Sequence, residues 1–121
     1  MAIAPRVLVV DDDQVILDLL REVLVSEGYD VTVAPNGVDA LSQVVDRPFE
    51  LMITDLGLSG LNGLDLIAAT KHCRPGMPII VLTASQDTTM LREAVRLGAS
   101  RVILKPQGQR GLLSHVDRLL H

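Results

Sequence analysis

Tryptophan is missing from this chain, and tyrosine and phenylalanine occur once each in its 121 residues. Aromatics make up 2% and hydrophobic residues 48%, so the core is expected to be aliphatic, built from Val, Leu, Ile and Ala. There is a single cysteine, Cys73. It excludes an intrachain disulfide, fits a reducing cytosol, and reads as a small apolar filler rather than a reactive thiol. No apolar run reaches the ~18–20 residues that cross a bilayer as a helix. The amino end, Met1-Ala2-Ile3-Ala4-Pro5, lacks the charged start and apolar segment of a signal peptide. A cytoplasmic protein without a membrane segment is expected. Basic charge is also short: 11 Lys and Arg against 15 Asp and Glu give a formal charge of −4, the wrong sign for general nucleic-acid affinity. The length suits one domain with a real core, spanning residues 1–121, and is too small for two.

What is present is a strict alternation. Arg6-Val7-Leu8-Val9-Val10 is an unbroken aliphatic run, as expected of a strand buried on both faces of a parallel sheet. Val15, Ile16, Leu19, Leu20, Val23 and Leu24 then recur at helical spacing until Gly28. Asp30 to Ala34 reads as a second strand. A helix carrying Val38, Leu41, Val44 and Val45 comes next and ends by Pro48. Leu51 to Thr54 is strand three; Leu64, Ile67 and Ala68 mark a third helix. Pro78 to Leu82 is strand four, ending at Thr83. Met90, Leu91, Ala94, Val95 and Leu97 mark a fourth helix, stopped by Gly98. Arg101 to Leu104 is strand five, ending at Lys105, and Leu112, Leu113, Val116, Leu119 and Leu120 mark the last helix. Five strands alternating with five helices call for parallel strands, right-handed crossovers and helices on both faces. The expected fold is therefore a doubly wound, three-layer α/β sandwich of (βα)5, flavodoxin-like type; we take its strand order as 2-1-3-4-5, which would place strand three at the centre.

In such a sheet ligands sit beyond the carboxyl ends of the strands, near the point where strand order reverses. Those ends are polar here: Asp11 and Asp12 after strand one, Asp55 after strand three, Thr83 after strand four, Lys105 after strand five. Singly, each has an ordinary explanation. Asp13 suits a helix N-cap, Asp11 and Asp12 suit a helix start, Thr83 another, and Lys105 a solvated surface. Asp55, between a strand and a loop punctuated by Gly57, Gly60 and Gly63, could merely cap the next helix, or could act as a nucleophile toward phosphorus. Their convergence on one edge favours chemistry. Three carboxylates repel unless neutralised, and an all-oxygen donor set without His or Cys favours Mg2+ over zinc. Such a cation lets an anionic phosphoryl group approach an anionic nucleophile. Lys105 and Thr83 would hold phosphoryl oxygens, one by charge and one by a hydroxyl hydrogen bond.

Val7-Leu8-Val9-Val10-Asp11-Asp12-Asp13, Ile53-Thr54-Asp55, Gly63, Thr83-Ala84 and Lys105-Pro106 together resemble the receiver domains of two-component response regulators, over nearly the whole chain. The resemblance implies that Asp55 accepts a phosphoryl group from a sensor histidine kinase, a phosphotransfer protein or a small phosphodonor. It implies Mg2+ held by Asp12 directly and Asp11 mainly through water, with Asp55 and the Gly57 carbonyl as further ligands. It implies the roles of Thr83 and Lys105 argued above, and a cis Lys105–Pro106 bond. Six positions depart from the family pattern: Ser59 where proline is usual, Gly57 with no side chain to position an attacking water, Val102 where an aromatic is usual, Gln107 after Lys-Pro, and the Gly108 and Gly111 pair at the entry to the last helix. None removes a reactive group.

Other classes fit less well. A phosphatase with an Asp nucleophile of the haloacid-dehalogenase kind wants a second Asp two residues on, where Gly57 stands. A flavodoxin-like carrier wants a Ser-, Thr- and Gly-rich first loop, where three aspartates stand. A purely structural module would leave the pocket unused. His72, His115 and His121 read as surface residues. Charge is divided along the chain: residues 1–70 hold three basic and twelve acidic residues, residues 71–121 eight basic and three acidic. Arg92, Arg96, Arg101, Arg110 and Arg118 should give the fourth helix, fifth strand and last helix a basic face. That face is expected to meet an acidic partner, an output domain or a second copy of the chain.

Overall fold

The computed structural model describes residues 3–105 and 111–121. Ten elements alternate: β1 (Arg6–Val10), α1 (Gln14–Ser26), β2 (Asp30–Ala34), α2 (Gly37–Asp46), β3 (Leu51–Thr54), α3 (Gly63–Cys73), β4 (Ile79–Thr83), α4 (Thr88–Leu97), β5 (Arg101–Leu104) and α5 (Leu112–Leu120). The strands form one parallel sheet in the expected order, β2-β1-β3-β4-β5. Side chains of alternating strand positions point to opposite faces, and each face has its own aliphatic core. Leu8, Val10, Met52, Ile79 and Val81 pack with Ala40 and Val44 of α2, Leu66 and Ile67 of α3 and Ala94 of α4. Val7, Val9, Leu51, Ile53, Ile80 and Leu82 pack with Leu17, Leu20 and Leu24 of α1 and Leu112 and Val116 of α5. Each Val, Leu, Ile or Met side chain among these, fully buried, contributes roughly 1.5–3 kcal/mol. Among the described residues no helix is long and apolar enough to cross a membrane.

Side-chain caps set where the helices begin. Asp13, Asn36, Asn62 and Asp87 each accept the amide hydrogen of a residue two or three positions on, and so open α1, α2, α3 and α4. Asp13 is thereby an N-cap, as its position suggests. At the far end of α4, Gly98 adopts φ 123°, a conformation natural to glycine. Pro78, expected to open β4, lies just before it. It has no N–H to give, yet its carbonyl accepts the Met52 amide at 3.1 Å and so extends the ladder.

The buried helical faces differ in detail from the apolar spacing read in the sequence. α1 buries Leu17, Leu20 and Leu24, whereas Val15 is 72% exposed and Leu19 44%. Val38, Val45, Val95 and Ala68 likewise face solvent. His115 is half-buried rather than fully at the surface, and among the described residues its Nδ1 has no hydrogen-bond partner.

Candidate functional site

The acidic edge is built from the backbone outward. Val10 ends β1, and the next amide, that of Asp11, still pairs with the Ala34 carbonyl at 3.2 Å. The Asp55 amide pairs with the Val10 carbonyl at 3.1 Å. Both aspartates therefore leave the sheet from adjacent, paired strands, with backbone positions fixed by the ladder. Asp11 is buried, 3% exposed, and its Oδ1 accepts the Asp13 amide at 2.9 Å. Asp12 faces solvent. The carboxylates of Asp11, Asp12 and Asp55 each bring an oxygen within 4.8 Å of the others.

Lys105 comes from the edge strand. Its amide pairs with the Thr83 carbonyl at 2.8 Å, and its stem passes the end of β4 to place Nζ 2.7 Å from Oδ2 of Asp11 and 3.1 Å from Oδ2 of Asp55. Asp55 Oδ1 accepts the Leu56 amide at 2.6 Å and the Gly57 amide at 3.4 Å. Both of its oxygens are thus engaged, and the carboxylate is held in one orientation. Partial burial pushes the Asp55 carboxyl up. Hydrogen bonding and charge attraction from Lys105 outweigh that, with help from Thr83 and the Leu56 amide, and hold it below its ordinary value. Partial burial pushes Lys105 down, but its bonds to Asp11 and Asp55 raise it above the usual lysine value. Lys105 is cationic and Asp55 anionic at neutral pH. Thr83 is 2% exposed, and its Oγ1 accepts the Ser85 amide at 3.2 Å, which leaves the hydroxyl hydrogen to donate.

Two glycines hold the loop after Asp55. A Cβ on Gly63 would lie 2.5 Å from Leu56 Cα and 2.6 Å from the Asp55 carbonyl oxygen. The Gly63 amide bonds to the Leu56 carbonyl at 3.0 Å. A Cβ on Gly37, at the start of α2, would lie 2.0 Å from the Leu61 carbonyl oxygen. The loop is gripped from α3 and from α2. Gly63 stood out in the sequence; Gly37 did not, because its partner is 24 positions away in the chain. Gly57 is exposed, with nothing within 4 Å of where a Cβ would sit, and Ser59 is exposed too. Val102 is half-buried against the core. Pro106, Gln107, Gly108 and Arg110 lie outside the described residues.

The edge thus gathers three carboxylates, one ammonium and one hydroxyl from four strand ends, with the carboxylates in excess of the cation. Comparison with known proteins gives this arrangement a family. The response regulator receiver domain model matches residues 7–117. The chain belongs to the response regulator receiver domain family. Signalling switched by phosphorylation is the general role of this domain. The receiver is 37% identical over 111 residues to the DNA-binding response regulator MtrA of Mycobacterium tuberculosis, covering 92% of this chain and 48% of that one. It is 37% identical over 125 residues to the transcriptional regulatory protein AruR of Pseudomonas aeruginosa, covering 99% and 51%. It spans about half the length of these curated relatives. A CheY-like receiver domain protein from Methanospirillum hungatei superposes with a TM-score of 0.94 at 31% identity, covering 98% of this chain and 94% of that one.

Proposed function

We propose that residues 1–121 form a single receiver that takes a phosphoryl group on Asp55 from a sensor histidine kinase, a phosphotransfer protein or a small phosphodonor. The observation that carries this reading is the placement of Asp55: an ionised, oriented carboxylate beside two further acids and one lysine. An Asp55 carboxylate oxygen attacks phosphorus and forms an acyl phosphate. The bond from phosphorus to the donor atom breaks, and the donor leaves with that electron pair. Lys105 moves its charge from the two carboxylates to a phosphoryl oxygen, and the Thr83 hydroxyl donates to another. The all-oxygen cluster, with more carboxylate than ammonium, suits Mg2+. Asp11, Asp12, Asp55 and the Gly57 carbonyl would hold it, and when bound it supplies charge neutralisation between nucleophile and phosphoryl group. Return to the resting state is hydrolysis of the acyl phosphate. Gly57 offers no side chain to water there, so the receiver governs that step through its backbone and through the groups that hold the phosphoryl oxygens, Lys105 and Thr83.

Thr83 is continuous through Ser85 with the Asp87 cap of α4. A hydroxyl drawn toward phosphate therefore pulls on the start of α4, and the α4–β5–α5 face is read as the output surface. Its occupant would be an output domain or partner protein, or a second copy of the chain. This segment would not bind nucleic acid directly and would work in the cytoplasm, away from membrane.

The test is incubation with acetyl phosphate and Mg2+, followed by mass spectrometry. One phosphate per chain, acid-stable and base-labile, is expected on the natural sequence and none on Asp55→Asn. Equal uptake by Asp55→Asn in the same time would move the acceptor elsewhere.

A further inference from the structure

Two apolar patches sit at opposite ends of the α2–α3–α4 layer, α2 beside the edge strand β2 and α4 beside the edge strand β5. On α2, Val38, Leu41 and Val45 lie along one helix face, and Val38 and Val45 are each 60% exposed. They border a depression of about 600 Å3 that takes in Asp46 and, from the loop after Asp55, Leu61. The only charges on α2 are Asp39 and Asp46. Asp46 is 77% exposed, and Arg47 beyond the helix approaches it no closer than 3.9 Å. On the other patch, Leu91, Val95, Val102 and Leu104 border a depression of about 450 Å3 lined also by Arg92. Val95 is 56% and Leu104 42% exposed. Arg96 is paired with Glu93 of its own helix, Arg101 is exposed at the start of β5, and among the described residues Arg92 enters no ion pair.

We infer that these patches bind each other between molecules: α2 of one copy docks on the α4–β5 depression of the next. The valine and leucine side chains leave water together, which supplies the drive. Asp39 and Asp46 face Arg92, which sets orientation and makes the contact weaken as salt rises. Within one molecule the two patches cannot meet, because α3 lies between α2 and α4. The surfaces differ, so the contact is head-to-tail and repeats from copy to copy instead of stopping at a two-fold dimer. This inference rests on the reading of α4–β5–α5 as the output face and names its occupant. It is tested without phosphodonor, so its failure leaves the Asp55 assignment untouched.

The experiment is sedimentation of the whole chain over a wide concentration range, with Val45→Asp and Val95→Asp as exposed-site variants whose folding is checked by circular dichroism. The natural chain should rise from its 13.1 kDa monomer mass to twice that and beyond, and fall back in high salt. Each variant alone should stay at monomer mass. An equimolar mixture of the two should form a particle of twice that mass and none larger, because one intact contact remains between them. A chain monomeric at every concentration would overturn the inference. So would a dimer lost in Val95→Asp but kept in Val45→Asp, which is a symmetric α4 contact. So would a monomeric chain that binds an acidic helical peptide through Arg92, which is a different partner.

Discussion

Lys105 holds its ammonium 3.1 Å from the Asp55 carboxylate, and a single substitution at that position separates its two roles. Lys105→Met should still take up phosphate on Asp55, more slowly, while the change in α4 amide signals on phosphorylation shrinks. Uptake at the natural rate with full α4 shifts would remove Lys105 from both roles. The pH dependence of stability should change as well. Asp55 has a lowered folded value, so its contribution is present above the ordinary carboxyl value of 3.8 and lost as pH falls through the folded one. Lys105 has a raised folded value, so its contribution is present below the ordinary 10.5 and lost as pH rises through the folded one. The melting-temperature gap between the natural chain and Lys105→Met should therefore be widest between those limits and close outside them.

Asp12 is a solvent-facing carboxylate that adds repulsion to Asp11 and Asp55. In chelator, Asp12→Ala should melt higher by roughly 2 °C, which a small relief of like-charge repulsion is worth in a chain of this size. In Mg2+ the order should reverse, because the natural chain gains stability by binding and the variant does not. Amide signals of Asp11, Asp55 and Gly57 should shift with Mg2+ in the natural chain only; identical titrations would defeat the metal assignment.

Gly63 and Gly57 flank the same loop but differ in what surrounds them. Gly63→Ala forces a Cβ to within 2.5 Å of the Leu56 backbone and should cost about 1–3 kcal/mol in urea unfolding, with slower phosphorylation because the Asp55 carbonyl must move. Gly57→Ala meets nothing within 4 Å and should change stability by less than about 0.5 kcal/mol. Equal effects from the two would mean the loop is not gripped at Gly63.

Tyr29 is the only tyrosine, with no tryptophan in the chain, so phenolate absorbance reports it alone. Burial, then the hydrogen bond and charge of Asp117 on α5, push it up to about 12. The absorbance midpoint should lie there, and Asp117→Ala should bring it part-way back toward 10. Because the folded chain keeps this proton where the unfolded chain has lost it, stability should fall as pH rises from about 10 to about 12. A midpoint at the ordinary tyrosine value in the natural chain would mean that α5 is not docked through Tyr29.

The sequence announced the sheet because β1, β3 and β4 are continuous aliphatic runs, and only a parallel sheet with two covered faces buries such runs. It announced the acidic edge because parallel strands bring every carboxyl end to the same side. Helix faces were less legible. α1 carries apolar residues on more than one face, so Val15 and Leu19 fit the periodicity as well as Leu17 does; which stripe turns inward depends on where the Asp13 cap starts the helix. Contacts between residues distant in the chain, such as Gly37 against Leu61 or Tyr29 with Asp117, leave no local pattern at all.

The grip of Gly37 and Gly63 on the loop also bears on heredity. Any change in the first or second base of a glycine codon gives a residue with a Cβ, or a stop, and both positions lack space for one. Asp55 can be exchanged for asparagine, and Lys105 for arginine, with the surrounding backbone left in place. The two glycines offer no such neighbour in the genetic code. Drift at this edge is thus closed off most tightly at two residues that touch no phosphate, and copies of the domain that have lost phosphorylation should still keep both.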